Sequence, residues 1–267
     1  MSTFSLSSLN KKPIILSIEG NIGAGKTTIV EQLEKFLNNI DKRMNSKSQI
    51  IFLKEPIDIW GTIKDSNGDN ILQNFYANPS KYAFPFQVMA YATRLSLIRQ
   101  TIRENPTCDM IICERSLDAD KFIFAQMLYD DGMIDDMSFQ IYQRFYKEYS
   151  DDFSLDGIIY IDADAEVCER RINQRSRDGE GGIELAYLQK CKTYHDNWLA
   201  KESTDVPVLT IKTNEDVTYD PNDIYDIGMS WLSRIDSFIN EFLEETNWHE
   251  RNNKNMFMDD IRNEWAN

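Results

Sequence analysis

A chain of 267 residues, 42% of them apolar, is long enough for one sizeable buried core and too apolar to remain disordered. Its net charge of -15 repels polyanions, so neither nucleic acid nor an anionic membrane is an expected partner. No apolar run approaches the roughly 18 residues of a membrane span. Met1–Asn10 is Ser-rich, with no apolar stretch and no Arg enrichment, so no secretory or organellar signal is expected there. Cys108, Cys113, Cys168 and Cys191 show neither metal nor disulfide spacing and read as reduced thiols of a cytoplasmic protein.

In chain order, the first predicted strand is Ile14–Ile18. It runs into Gly20-Asn21-Ile22-Gly23-Ala24-Gly25-Lys26-Thr27, the pattern of a phosphate-binding loop, and then into a helix over Lys26–Leu37. Strand, glycine-rich turn and helix together predict nucleotide binding, because inward-turned amides and a helix N-terminus favour phosphate. Lys26 would reach the β- and γ-phosphates and the Thr27 hydroxyl would coordinate Mg²⁺. The second strand, Ile50–Leu53, ends at Glu55-Pro56, where a carboxylate can take a proton from an attacking hydroxyl; Trp60 follows as a flat wall for a base.

A long helix is predicted over Lys81–Arg103, starting properly at Pro85. Beside Phe86 it carries Gln87 and Arg94, two turns apart and so on one face. A Gln amide can pair with a base edge, and an Arg among apolar neighbours needs an anion, for which Asp120 is the candidate. The third strand, Met110–Cys113, ends in Glu114-Arg115-Ser116: Glu114 can bind the metal and Arg115 can steady developing negative charge. Ser116 or Asp118 caps a predicted helix Ala119–Leu128, which sets Asp120 and Phe124 on one face, with Phe124 free to stack on the base.

A further helix is expected over Ser138–Tyr149, then the strand Ile158–Ile161 and the helix Ala165–Gln174. Arg170, Arg171, Arg175 and Arg177 crowd one short segment of a chain with only 29 basic residues. Arg171 and Arg175 repel each other at i,i+4 unless an anion lies between them, and the Gly-rich stretch 178–182 reads as a hinge, so this segment resembles a lid over phosphates. The strand Val208–Ile211, a turn at Asp220–Asp223, a helix Ile227–Glu245 and a polar tail complete the chain. His195 and His249 sit at no strand end and receive no role. The alternation predicts an α/β fold: one domain over 1–267, a five-stranded parallel sheet flanked by helices, with the polar groups gathered beyond the strand ends.

This combination resembles the deoxyribonucleoside kinase family, on the branch of the deoxycytidine, deoxyguanosine and deoxyadenosine kinases. The matching residues are Gly20–Thr28, Glu55-Pro56, Trp60, Gln87, Arg94, Glu114-Arg115-Ser116, Asp120, Phe124, Arg171, Arg175, Arg177 and Glu180. The resemblance implies a kinase with an Arg-rich lid, with ATP as donor, Mg²⁺ held by Thr27 and Glu114, Glu55 as the base on the 5′-hydroxyl, and Tyr76 with Glu180 on the 3′-hydroxyl. It further implies a homodimer, and places Glu215, Asp216 and Val217 behind the adenine. The Arg94–Asp120 pair resembles members that accept amino-bearing bases rather than thymidine. Phe75 stands where the family pattern has Met, and Val217 where it has an aromatic residue. A monophosphate kinase of the thymidylate kinase type is disfavoured, since only Lys64 adds positive charge between Trp60 and Tyr76, and a regulator without transfer activity would not need Glu55, Gln87 and the arginines together.

Overall fold

The computed structural model describes residues 12–44, 48–175, 182–200 and 203–265, without the side chains of 41–44, 151 and 247–265. Packing divides the chain into two compact units, Met1–Asp216 and Val217–Asn267.

The first unit is built on a five-stranded sheet in the order β2-β3-β1-β4-β5, every neighbouring pair parallel. The strands are β1 (Ile14–Gly20), β2 (Ile50–Leu53), β3 (Met110–Glu114), β4 (Gly157–Asp162) and β5 (Val208–Lys212). Ile-rich runs form the middle of the sheet because β-branched side chains suit a pleat covered on both faces. All of β1 and β3 is buried, and β4 apart from its last residue. The edge strands are less covered: most of β2 and β5 is only half-buried or exposed, since each lacks a neighbour on one side. Leu16 faces Ile112 on one side and Gly157 on the other, so β1 lies at the centre and its loop opens between two strand ends.

The helices are α1 (Lys26–Met44), α2 (Ile57–Thr62), α3 (Ile71–Ala77), α4 (Pro79–Glu104), α5 (Leu117–Ala119), α6 (Gln126–Asp130), α7 (Asp136–Tyr149), α8 (Ala165–Arg175) and α9 (Leu185–Trp198). A π-helical segment, Asp120–Ala125, joins α5 to α6. Several elements depart from the sequence reading: α1 runs on to Met44 rather than ending at Leu37, and α2 and α3 were not expected. Helix α4 begins at Pro79, not Pro85: the Asn78 side chain caps it by accepting from the Lys81 amide, and Pro85 is carried inside the helix at an exposed position while Ala83, Phe86, Gln87 and Ala90 are buried. The Ser116 hydroxyl caps α5 at 3.0 Å from the Ala119 amide, so that helix starts at Leu117. Helix α9, which the sequence reading passed over, buries Leu188, Cys191 and His195.

In the second unit, α10 (Ile227–Trp265) continues through the stretch expected to be a tail. Its N-terminus is fixed by Asp226, whose carboxylate accepts from the Met229 amide at 2.7 Å and from the Thr218 hydroxyl at 2.6 Å. The expected turn at Pro221 is present, with the Asp223 amide 3.2 Å from the Asp220 carbonyl. Among the described residues no helix is long and apolar enough to cross a membrane.

Candidate active site

The loop between β1 and α1 is shaped by close backbone approach. At Gly20 (φ 148°) a Cβ would stand 2.5 Å from the Ile161 carbonyl oxygen, and at Gly23 (φ 80°) 2.6 Å from that of Cys168. A side chain at either place forces β4 or α8 away. Asn21 ties the loop to α9, donating from Nδ2 to the Leu188 carbonyl at 2.8 Å while its Oδ1 accepts from the Ile22 amide. Lys26 folds back inside the loop, its Nζ 3.0 Å from the Gly20 carbonyl and 2.8 Å from that of Asn21. Burial, then the charge of Arg115, lowers its pKa to about 8. The Thr27 hydroxyl donates to Glu114 Oε1 at 2.5 Å, which brings two hard oxygens together at the mouth of the loop. Among the described residues no cluster of three His, Cys, Asp or Glu could hold a metal unaided. A cation at Thr27 and Glu114 would need phosphate oxygens and water to complete its shell, as Mg²⁺ at nucleotides does. Thr28 lies exposed one residue further along α1.

The ends of β2 and β3 carry a buried charge cluster. Glu55 Oε1 accepts from Arg94 Nη2 at 3.2 Å and from Arg115 Nε at 3.3 Å. Burial alone would raise the Glu55 pKa, but the charges of Arg115, Arg94 and Lys26 outweigh it and hold the group at about 2. Arg94 of α4 braces two further partners besides Glu55: Nε and Nη2 grip Asp120 at 2.9 and 3.3 Å, and Nη1 donates to the Glu114 carbonyl at 3.1 Å. Burial raises the Asp120 pKa, against the pull of Arg94.

Arg115 is the one non-glycine residue with positive φ (68°) among those described. Such a backbone costs of order 1–3 kcal/mol and persists where the surroundings over-determine it. Here its amide donates to the Ile18 carbonyl, and the Ser116 amide to the buried Glu19 carboxylate at 2.9 Å. The guanidinium lies 4.5 Å from the centre of the Phe124 ring, Nη2 donates to the Gly20 carbonyl at 3.3 Å, and buried Nη1 has no partner. A phosphate-binding turn, a carboxylate and a strained arginine therefore meet within one sheet edge, an arrangement suited to moving a phosphoryl group onto a hydroxyl.

The model of the deoxynucleoside kinase family matches residues 16–239. The chain belongs to the deoxynucleoside kinase family. A fowlpox virus (strain NVSL) protein named probable deoxycytidine kinase is 34% identical over 231 residues, covering 85% of this chain and 88% of its own length. Deoxycytidine kinase of Homo sapiens is 32% identical over 241 residues, 80% of this chain and 89% of its own. Mitochondrial deoxyguanosine kinase of Xenopus laevis is 31% identical over 226 residues, 75% and 82% of the two chains. The chain is accordingly a phosphotransferase acting on a nucleoside, with a nucleotide as donor.

In this deoxynucleoside kinase the residues that the sequence reading assigns to the nucleoside stand among aromatics. Phe75 stacks on Phe86 with centroids 4.7 Å apart, Trp60 meets Phe86 edge-on at 5.4 Å, and the Trp60 indole N–H donates to Thr93 Oγ1 at 3.0 Å. Tyr76 faces Tyr187 of α9 at 6.3 Å. Gln87 is buried, and its Oε1 has no partner.

At the loop between β1 and α1, Arg171 donates to the Ala24 carbonyl at 3.2 Å, the Glu215 carbonyl at 2.9 Å and the Asp216 carboxylate at 3.0 Å, and Arg170 also reaches Asp216. Arg175 ends α8. Arg177 and Glu180 lie outside the described residues, and Val217 opens the second unit. The sequence reading placed Glu19 at the polar edge of the sheet without giving it a role, and it missed Tyr187, which carried no signal.

Proposed function

We propose that the chain transfers the γ-phosphoryl group of ATP, with Mg²⁺, to the 5′-hydroxyl of a deoxyribonucleoside, and prefers deoxyadenosine, deoxyguanosine or deoxycytidine to thymidine, in nucleotide salvage. The observation that carries this reading is Glu55 held between Arg94 and Arg115 beside the Thr27–Glu114 contact. As the 5′-oxygen bonds to the γ-phosphorus, its proton passes to Glu55, and the bond from phosphorus to the bridging oxygen breaks, the electron pair leaving with ADP. A carboxylate of low pKa suffices, because a loose phosphoryl transition state asks for positioning more than for basicity. Lys26 and the unpartnered Nη1 of Arg115 would steady the charge that develops. Mg²⁺, held by Thr27 and Glu114, would neutralise charge on the β- and γ-phosphates.

The base preference rests on the acceptor pocket. Arg94 and Asp120 satisfy each other in a buried pair, and the unpartnered Gln87 Oε1 suits an amino group on the base. The named activities of the relatives, on deoxycytidine and deoxyguanosine, favour the same bases. Phe124 would stack on the base, Tyr76 and Glu180 would hold the 3′-hydroxyl, and Arg171, Arg175 and Arg177 would close on the phosphates, with Glu215, Asp216 and Val217 behind the adenine. We read the chain as one kinase domain with a lid, cytoplasmic, and paired as a homodimer: exposed Met137, Ile141 and Phe145 recur every fourth residue along α7 and form an apolar stripe suited to a second copy.

The test is a panel of deoxynucleosides and their monophosphates with ATP and Mg²⁺. The highest kcat/KM is expected among deoxyadenosine, deoxyguanosine and deoxycytidine. Thymidine as the best acceptor would overturn the base preference, and faster turnover of monophosphates the acceptor class.

A further inference from the structure

His195 touches neither the phosphate loop nor Glu55, yet its surroundings lead to both. It is fully buried on α9. Its Nδ1 lies 2.6 Å from the Cys191 carbonyl oxygen. A carbonyl only accepts, so Nδ1 carries the proton and Nε2 is left as a bare acceptor, buried and without a partner.

Two rings fix the imidazole. It lies parallel to Tyr160 of β4, centroids 5.9 Å apart and planes 10° apart, and perpendicular to Phe124 at 6.3 Å and 86°. The face of Phe124 in turn covers the Arg115 guanidinium at 4.5 Å, and Arg115 Nε reaches Glu55 at 3.3 Å. Phe124 sits in the π-helical segment, whose widened turn does not hold side chains in the ordinary helical rows. Its direction therefore depends on what stands behind it. Burial, then the charges of Arg115, Lys26 and Lys192, keep the imidazole uncharged, which lets it stand near three cations.

We propose that His195 is a positioning residue: its ring, fixed by Tyr160 and by the Cys191 carbonyl, stands edge-on against Phe124 and keeps the face of Phe124 over the Arg115 guanidinium. Arg115 is thereby held on Glu55 and toward the transferring group. The inference rests on the phosphoryl-transfer reading above and adds a residue to it.

The experiment compares the full chain with His195→Leu, which removes the ring, and His195→Phe, which keeps a ring and removes both nitrogens. Each is measured for kcat, both KM values and crystal structure. His195→Leu is expected to lower kcat between tenfold and about a hundredfold and to raise the nucleoside KM, with the nucleotide KM within about twofold of the parent. His195→Phe should recover most of the lost kcat, and in a Phe124→Leu background the His195→Leu change should add almost nothing. If the leucine variant does not fold, His195→Gln, which hydrogen-bonds without a ring, carries the same expectation. Unchanged kinetics in the ringless variants, or a His195→Phe protein as impaired as they are, would overturn the inference. So would a ringless variant whose crystal structure keeps Phe124 over Arg115, a result that does not depend on which acceptor is phosphorylated. Failure of the parent chain to phosphorylate any deoxynucleoside would instead defeat the functional reading.

Discussion

The two halves of the site hold their arginines in opposite ways. Beyond the ends of β2 and β3, Arg94 and Arg115 are buried, and their partners Asp120 and Glu55 come from different parts of the fold. On α8, Arg170 and Arg171 pair with Asp216, whose side chain is 63% exposed. A buried network is fixed before substrate arrives, whereas an exposed pair exchanges readily for water or phosphate. On the proposed function, the first is a preformed socket for the acceptor, and the second is a pair of arginines whose shared carboxylate faces solvent. Substitutions in the socket should disturb folding as well as catalysis; loss of an arginine paired with Asp216 should cost less stability.

That contrast can be broken or sharpened by four measurements. The largest effect is expected from Glu55→Gln, which should slow kcat by roughly 10²–10⁴ with nucleoside binding retained. Near-parental turnover in steady-state assays would take Glu55 out of the reaction. Next, Arg94→Met leaves Asp120 buried without its partner and should cost about 3–5 kcal/mol of stability in denaturant unfolding. A midpoint shift no larger than that of a surface change would mean the socket is not braced as described. Third, Arg171→Ala should lower kcat by about tenfold at a smaller cost in stability than Arg94→Met, since its charged partner Asp216 faces solvent. A large loss of stability there would erase the difference between the two halves.

The smallest effect concerns Lys26. Its pKa of about 8 in the free enzyme lies below the ordinary 10.5, so the amine is partly deprotonated near pH 8.5. Nucleotide phosphates restore the charge, and binding should take up a fraction of a proton, seen by calorimetry in buffers of different ionisation enthalpy. The opposite sign holds for Glu55. Its pKa is depressed from 4.5 to about 2, so its contribution to stability is present above pH 4.5 and is lost as the pH falls toward 2. Proton release at pH 8.5, or no exchange at all, would contradict the placement of Lys26.

The sheet was legible because its central strands are continuous Ile-rich runs, and the phosphate loop because glycine spacing, strand and helix coincide. The Arg94–Asp120 pair was legible from the need of a buried cation for an anion. Other parts left little trace. Helix α2 spans six residues and has no side-chain cap, so neither periodicity nor a start signal marks it. Helix α9 buries a histidine where a leucine would have completed an apolar stripe. The left-handed backbone of Arg115 is set by neighbours on β1, since nothing in an arginine favours it. The π-helical turn that aims Phe124 is likewise a product of packing.

A crystal structure of the nucleoside complex bears most directly on the socket. The account predicts a Glu55 carboxylate oxygen at about 3 Å from O5′, hydrogen-bonded to it, with Arg115 still beside the carboxylate. A bound nucleoside whose O5′ points away from Glu55, in a site already closed around it, would contradict the account.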